Sequence, residues 1–154
     1  MTVRIRTFVP EDAVACGDIV AATPLWQRYK LSAAVAAEQL TQGHGRGEAV
    51  LVIESDGAVA GFAWILPVGA FGLSPYLRRI AVAPGLRGQQ LGARLMDAVE
   101  EHAARLSADL FLLVSDFNED AQRFYLRRGF LEIGRIPEFA TPGVAEVLLR
   151  KRLR

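Results

Sequence analysis

Cysteine is nearly absent from this 154-residue chain: Cys16 stands alone, so no intrachain disulfide can form and a reduced, cytoplasmic setting is expected. With only two histidines there is no cluster at metal-ligand spacing either, and no metal is expected. No apolar run approaches the roughly 20 residues that span a bilayer. The N-terminal MTVRIRTFVPEDAVA alternates charge with apolar residues where a signal peptide needs an apolar core. Neither membrane insertion nor secretion is expected. Excess charge is missing too: 18 basic and 17 acidic side chains leave +1, too little for a field that draws a protein onto nucleic acid. Any bound anion must be caught locally. One further absence bears on chemistry, because Gly57 to Met96 contains no Asp or Glu at all.

What is present is globular. Hydrophobic residues make up 51% of the chain and charged ones 23%, a balance that buries a core, and the length suits a single domain over residues 1–154. Val3 to Arg6 alternates like a half-buried strand, and Pro10-Glu11-Asp12 opens a helical third. Ser32 is placed to cap an Ala-rich helix over Leu31 to Leu40, and Gly43-His44-Gly45-Arg46-Gly47 reads as a loop, with His44 on the surface. Ala49 to Glu54 and Ala58 to Leu66 flank Ser55-Asp56-Gly57, a hairpin signal. Tyr76 to Val82 is the next strand. The helix after it carries Leu91, Leu95, Val99, His102 and Leu106 on one stripe. Asp109 to Ser115 reads as a strand buried on both faces, reached by a right-handed parallel crossover. Asn118 caps a short helix that Gly129 ends. Phe130 to Ile136 and Ala145 to Leu149 close the sheet, with Arg150, Lys151, Arg152 and Arg154 as a solvated edge.

The chemistry gathers where the strand Leu77 to Val82 runs into Ala83-Pro84-Gly85-Leu86-Arg87-Gly88-Gln89-Gln90-Leu91-Gly92. A helix N-terminus leaves about four N–H groups unpaired and carries roughly half a positive charge, so it suits an anion. Arg87 adds a guanidinium, and the glycines allow close backbone approach. The Lys-Ser/Thr of a P-loop and the three spaced glycines of a dinucleotide fingerprint are both lacking. A plain strand-to-helix connection would show the same glycines.

Ile80 to Pro84 with Arg87 to Gly92 resembles motif A of the GNAT N-acyltransferases. Asn118-x-x-Ala121-x-x-Phe124-Tyr125, followed by Gly129-Phe130, resembles their motif B in the expected order. The likeness extends over nearly the whole chain, less so over Pro10 to Gly47 and Pro137 to Gly143, which in such enzymes shape the acceptor pocket. It implies an α/β fold with a mixed, mostly antiparallel seven-stranded sheet flanked by about four helices. It also implies transfer of an acetyl group from acetyl-CoA to a primary amine through a direct ternary complex, with a homodimer as a common assembly. Gln90 stands where glycine is usual, and Gln89-Gln90-Leu91 reads as ordinary helix, where Gln costs little.

By this resemblance the backbone around Ile80, Ala81 and Val82 lies along the pantetheine arm. Arg87, Gly88, Gln89, Gln90, Leu91, Gly92 and Ala93 hold the pyrophosphate, and Asn118 adds a cofactor contact. Tyr125 is the general acid for the departing thiolate, although it also suits a buried aromatic beside Phe124. The acidic residues Glu54, Asp116 and Glu138 are placed as strand-end or loop charges, and deprotonation through water is expected in preference to a protein base. Arg78 and Arg79 alternate, so one faces the site and the other solvent. Trp26 and Tyr29 suit either the acceptor pocket or the core. Cys16 is badly placed for a nucleophile, and His102 reads as core. The alternatives are a non-catalytic acyl-CoA-binding module and, less in keeping with the charge, a nucleic-acid-binding domain.

Overall fold

The computed structural model describes residues 1–154. Seven strands form one sheet: β1 (Val3–Thr7), β2 (Ala49–Ser55), β3 (Ala58–Ala70), β4 (Ser74–Val82), β5 (Asp109–Ser115), β6 (Leu131–Ile136) and β7 (Glu146–Arg152). Their order is β1-β2-β3-β4-β5-β7-β6, and every neighbouring pair is antiparallel except β4 and β5. Five helices flank it, α1 (Ala13–Ala22), α2 (Pro24–Arg28), α3 (Ala33–Gly45), α4 (Leu91–Ala104) and α5 (Glu119–Arg127).

Local chemistry sets the boundaries. Asp56 and Gly57 both take positive φ (51° and 83°), which turns β2 into β3 with the twist that a hairpin requires. The Ser32 hydroxyl accepts from the Val35 N–H at 3.2 Å, and the Asn118 amide oxygen accepts from the Ala121 N–H at 3.3 Å, so α3 and α5 begin where their caps stand.

Alternation along the strands divides the core. Leu77, Leu110, Leu112 and Val147 point to the face covered by α4 and α5, where they meet Leu91, Leu95, Val99 and Phe130. Val50, Val52, Phe62 and Trp64 point to the opposite face, under Cys16, Val20, Ala36 and Leu40 of α1 and α3. Each of the Val, Leu and Phe side chains among them, fully withdrawn from water, contributes about 1.5–3 kcal/mol, so the sheet is fixed from both sides.

Several expectations are corrected. Gly43 and Gly45 do not break the chain, because α3 runs through them to Gly45. Gly43 serves contact there: a Cβ would lie 2.7 Å from the Trp64 indole, so only glycine lets this helix pass over β3. His44 accordingly stacks edge-on against Phe8 at 5.3 Å instead of pointing into a loop. Leu106 lies beyond α4 and is exposed, and His102 is only half-buried. The basic tail is no edge strand, since β7 lies between β5 and β6, with Arg150 on Asp109 and Lys151 on Glu100.

Candidate active site

The one parallel pair in the sheet is short. Tyr76 and Leu77 pair with Phe111 and Leu112, after which β4 and β5 part. Beyond that point β4 keeps only β3 as a neighbour, while β5 continues beside β7. The Ala83 N–H donates to Ala60 O on the β3 side. An antiparallel ladder alternates its bonding direction, so Ala81 and Arg79 also face β3, and the N–H and C=O groups of Ile80 and Val82 point into the gap. An unpaired strand edge inside a cleft is a template for an extended chain bearing amides.

The gap opens into a cleft of about 750 Å³. Ile80, Ala81, Val82, Arg87, Gly92, Asn118 and Tyr125 all line it, so seven of the residues predicted for the site meet there. Gly88, Gln89, Gln90, Leu91 and Ala93 do not line it; the Leu91 side chain is fully buried in the core and leaves only its backbone amide to contribute, while Gln89 and Gln90 are exposed. No acid occupies the first turn of α4, and a Cβ on Gly92 would meet nothing within 4 Å, which leaves the helix N-terminus open to an incoming anion.

Gln90 overturns the helical expectation. It is the N-cap of α4, with φ 61° and ψ 17° in the left-handed region, and its side chain caps nothing. Gly88, two residues earlier, is at φ 82°. The turn thus holds two left-handed residues, and the second is not glycine. An L side chain there costs roughly 1–2 kcal/mol. Gln90→Gly is therefore expected to raise stability by about 1 kcal/mol and the Tm by about 2–4 °C, read by thermal and urea denaturation. An unchanged or lower Tm would mean that the turn relaxes around Gln90 at no cost.

Tyr125 is buried, edge-on to Phe124 at 5.2 Å and Phe130 at 5.5 Å. Its hydroxyl has no protein partner and is not sealed off, so it reaches the cleft. Burial pushes the phenol well above its ordinary value. It stays neutral, able to donate, across the working pH range.

Glu54, Asp116 and Glu138 do not line the cleft. Glu54 accepts from Arg6 at 2.8 Å, Asp116 accepts from the Ala145 N–H at 3.1 Å, and Glu138 is an exposed loop residue. Cys16 is fully buried in the α1 core, its thiol pushed up to about 12 by desolvation. The carboxylate that the sequence reading passed over is Glu146, the first residue of β7. It is buried, lines the cleft, and sits opposite Ser115. Tyr29 donates to it at 3.3 Å and Ser115 at 3.5 Å, while the Tyr29 and Ser115 hydroxyls share a 2.6 Å hydrogen bond. Burial raises the Glu146 pKa above the ordinary carboxylate value, and these hydrogen bonds partly offset the rise. The other cleft-lining acid, Asp120, is paired with Arg123. A lone acid opening an otherwise apolar run, Glu146-Val147-Leu148-Leu149, was the signal available in the sequence.

Arg78 and Arg79 do not alternate across the sheet. A bulge sets Leu77 opposite Ile65 and Arg79 opposite Trp64, leaving Arg78 as the extra residue, and both guanidiniums lie over Trp64, at 4.8 and 5.6 Å. Trp26 and Tyr29 line the cleft as well.

Comparison with known proteins agrees with this geometry. Residues 17–130 match the model of the acetyltransferase (GNAT) family. An aminoalkylphosphonate N-acetyltransferase of Salmonella typhimurium is 38% identical over 55 residues, a match that spans 35% of this chain and only 36% of that protein. The fold is shared with yncA of Salmonella typhimurium, solved with its cofactor acetyl-CoA (TM-score 0.80, 19% identity, 100% of this chain and 95% of that one). It is shared equally with an aminoglycoside 6′-N-acetyltransferase complexed with coenzyme A (TM-score 0.81, 15% identity, 98% and 97%).

Proposed function

Because this chain belongs to the acetyltransferase (GNAT) family and is an acyltransferase, we propose that it transfers an acetyl group from acetyl-CoA to a primary amine, by direct attack within a ternary complex. The observation that supports this most is the parted β4–β5 pair. It sets the free backbone edge of Ile80 and Val82, the open N-terminus of α4 with Arg87, and the Tyr125 hydroxyl around one cleft.

The residues present fit the donor. The free edge can pair with the amides of the pantetheine arm and donate an N–H to the acyl oxygen, which stabilises the charge that develops there. Arg87 and the amides from Gly88 to Ala93 suit the pyrophosphate, and Asn118 borders the same space. Acetyl-CoA, when bound, supplies an acyl carbon activated as a thioester. On the α2 and β7 side, Glu146 takes one proton from the ammonium of the acceptor. The neutral nitrogen then bonds to the carbonyl carbon as the C–S bond breaks. Tyr125 donates its proton to the departing sulfur, and the phenol is restored by the proton the nitrogen sheds, relayed by water in the cleft. One proton, held by Glu146, is released to solvent per turnover.

Because Glu146 must be ionised to act, and its pKa is raised by burial, activity falls as pH drops through that raised value. Amine-dependent release of thiol from acetyl-CoA tests the transfer itself.

A further inference from the structure

A cation withdrawn from water is costly unless an anion or a full set of hydrogen bonds compensates it. The half-buried Arg6, Arg128 and Lys151 each meet carboxylates. Arg79, also half-buried, meets none: it donates to the amide oxygen of Gln39 at 3.1 Å and otherwise lies between the indoles of Trp26 and Trp64. Arg78 beside it makes no ion pair either, the nearby Glu48 being engaged by Arg46 and Trp64, and the bulge in β4 sets both guanidiniums over Trp64, with both arginines lining the cleft. Burial and the neighbouring Arg78 push Arg79 down to about 10, which still leaves it cationic at neutral pH.

The opposite pole of this half of the cleft is Glu146 with its Tyr29 and Ser115 partners. Both poles line the same cleft, and so does Tyr76. A molecule bound in that cleft therefore faces both charges. An amine with several positive charges would have to set one beside paired guanidiniums, which opposes its binding.

We infer that the acceptor is a small amine that also bears an acidic group, a carboxylate or a phosphonate, with the anion held by Arg78 and Arg79 and the amine presented to Glu146. This rests on the transfer reading above and adds the chemical class of its acceptor. A planar guanidinium fork matches either anion, and a pair of them gives the anion two charge-assisted partners.

Titration calorimetry on CoA-saturated protein tests this without requiring turnover. β-Alanine and aminomethylphosphonate should bind roughly 10- to 100-fold more tightly than propylamine, methylamine or spermidine. The tighter of the two acidic amines identifies the anion. Arg79→Gln should erase the preference, and Arg79→Lys should restore part of it. Arg78→Gln, at an exposed position, should weaken the acidic amines alone, and it keeps the test open if Arg79→Gln does not fold. Equal binding of acidic, uncharged-tail and polycationic amines, or a preference that survives both glutamine variants, overturns the inference. Thiol release in the same panel separates the two readings. Tight binding of acidic amines without release supports this site and contradicts the transfer, whereas release that ignores the acidic group supports the transfer and overturns this site.

Discussion

Tyr125→Phe is expected to lower turnover by about a hundredfold or more with any accepted amine, while the Kd for CoA stays unchanged. The ring is held by Phe124 and Phe130, so the variant keeps its packing and loses one hydroxyl that has no protein partner. Loss of that oxygen leaves no buried group unsatisfied and should not destabilise the fold. The effect on rate should still be large, because a thiolate that develops beside the Phe124 and Phe130 rings depends on the donor aimed at it. Burial holds the phenol above its ordinary value, and this shapes the pH profile. Since Tyr125 does not ionise near neutrality, the wild-type rate should not decline on the alkaline side within the range where the protein is stable. Full activity in Tyr125→Phe would make this residue a packing element and require another proton donor.

The second large effect is expected at the helix N-terminus. Arg87→Ala removes charge-assisted hydrogen bonds and should weaken CoA binding roughly 10- to 100-fold. Gly92→Asp should weaken it further, by on the order of a hundredfold or more, because it sets a carboxylate at the helix N-terminus proposed to hold the pyrophosphate. The two kinds of readout move in opposite directions. A Cβ at Gly92 meets nothing within 4 Å, and an acid in the first turn of a helix is favourable, so Gly92→Asp should hold or gain thermal stability as it loses the cofactor. Calorimetry with CoA beside a melting curve reads both. Unchanged CoA affinity in both variants would place the pyrophosphate elsewhere.

The elements that carry strong periodicity or caps were legible from the chain alone. β5 was read with its observed bounds, Asp109 to Ser115, and the caps Ser32 and Asn118 stand where helices begin. The glycine-basic turn and the Asn118 to Phe130 stretch placed the cleft, because each needs only local residues to be recognised. What escaped depends on contacts between distant segments. Gly43 looked like a helix breaker and is a point of contact with Trp64, 21 positions away in numbering and invisible to local propensity. Arg78 and Arg79 looked like alternating neighbours until the bulge against Trp64 and Ile65 turned both to one side. Gln90 looked helical because glutamine is a good helix former, whereas the turn imposes a left-handed N-cap on it. Glu146 looked like an ordinary strand start. Only the pairing with Ser115 and the approach of Tyr29 from α2's end make it a buried acid in a cleft.

These misses share a physical cause. Sequence reading finds what a residue does to its own backbone, and this part of the cleft is assembled from residues far apart in the chain, Tyr29, Arg79, Ser115 and Glu146, which only the fold brings together.

The most direct test is release of thiol from acetyl-CoA by the wild-type protein, measured with and without a panel of primary amines that includes β-alanine, aminomethylphosphonate, propylamine and spermidine. Release that requires an amine, yields the acetylated amine as product, and collapses in Tyr125→Phe is the predicted result. Tight binding of acetyl-CoA with no amine-dependent release across the panel would contradict the transfer and leave a protein that holds acyl-CoA without using it.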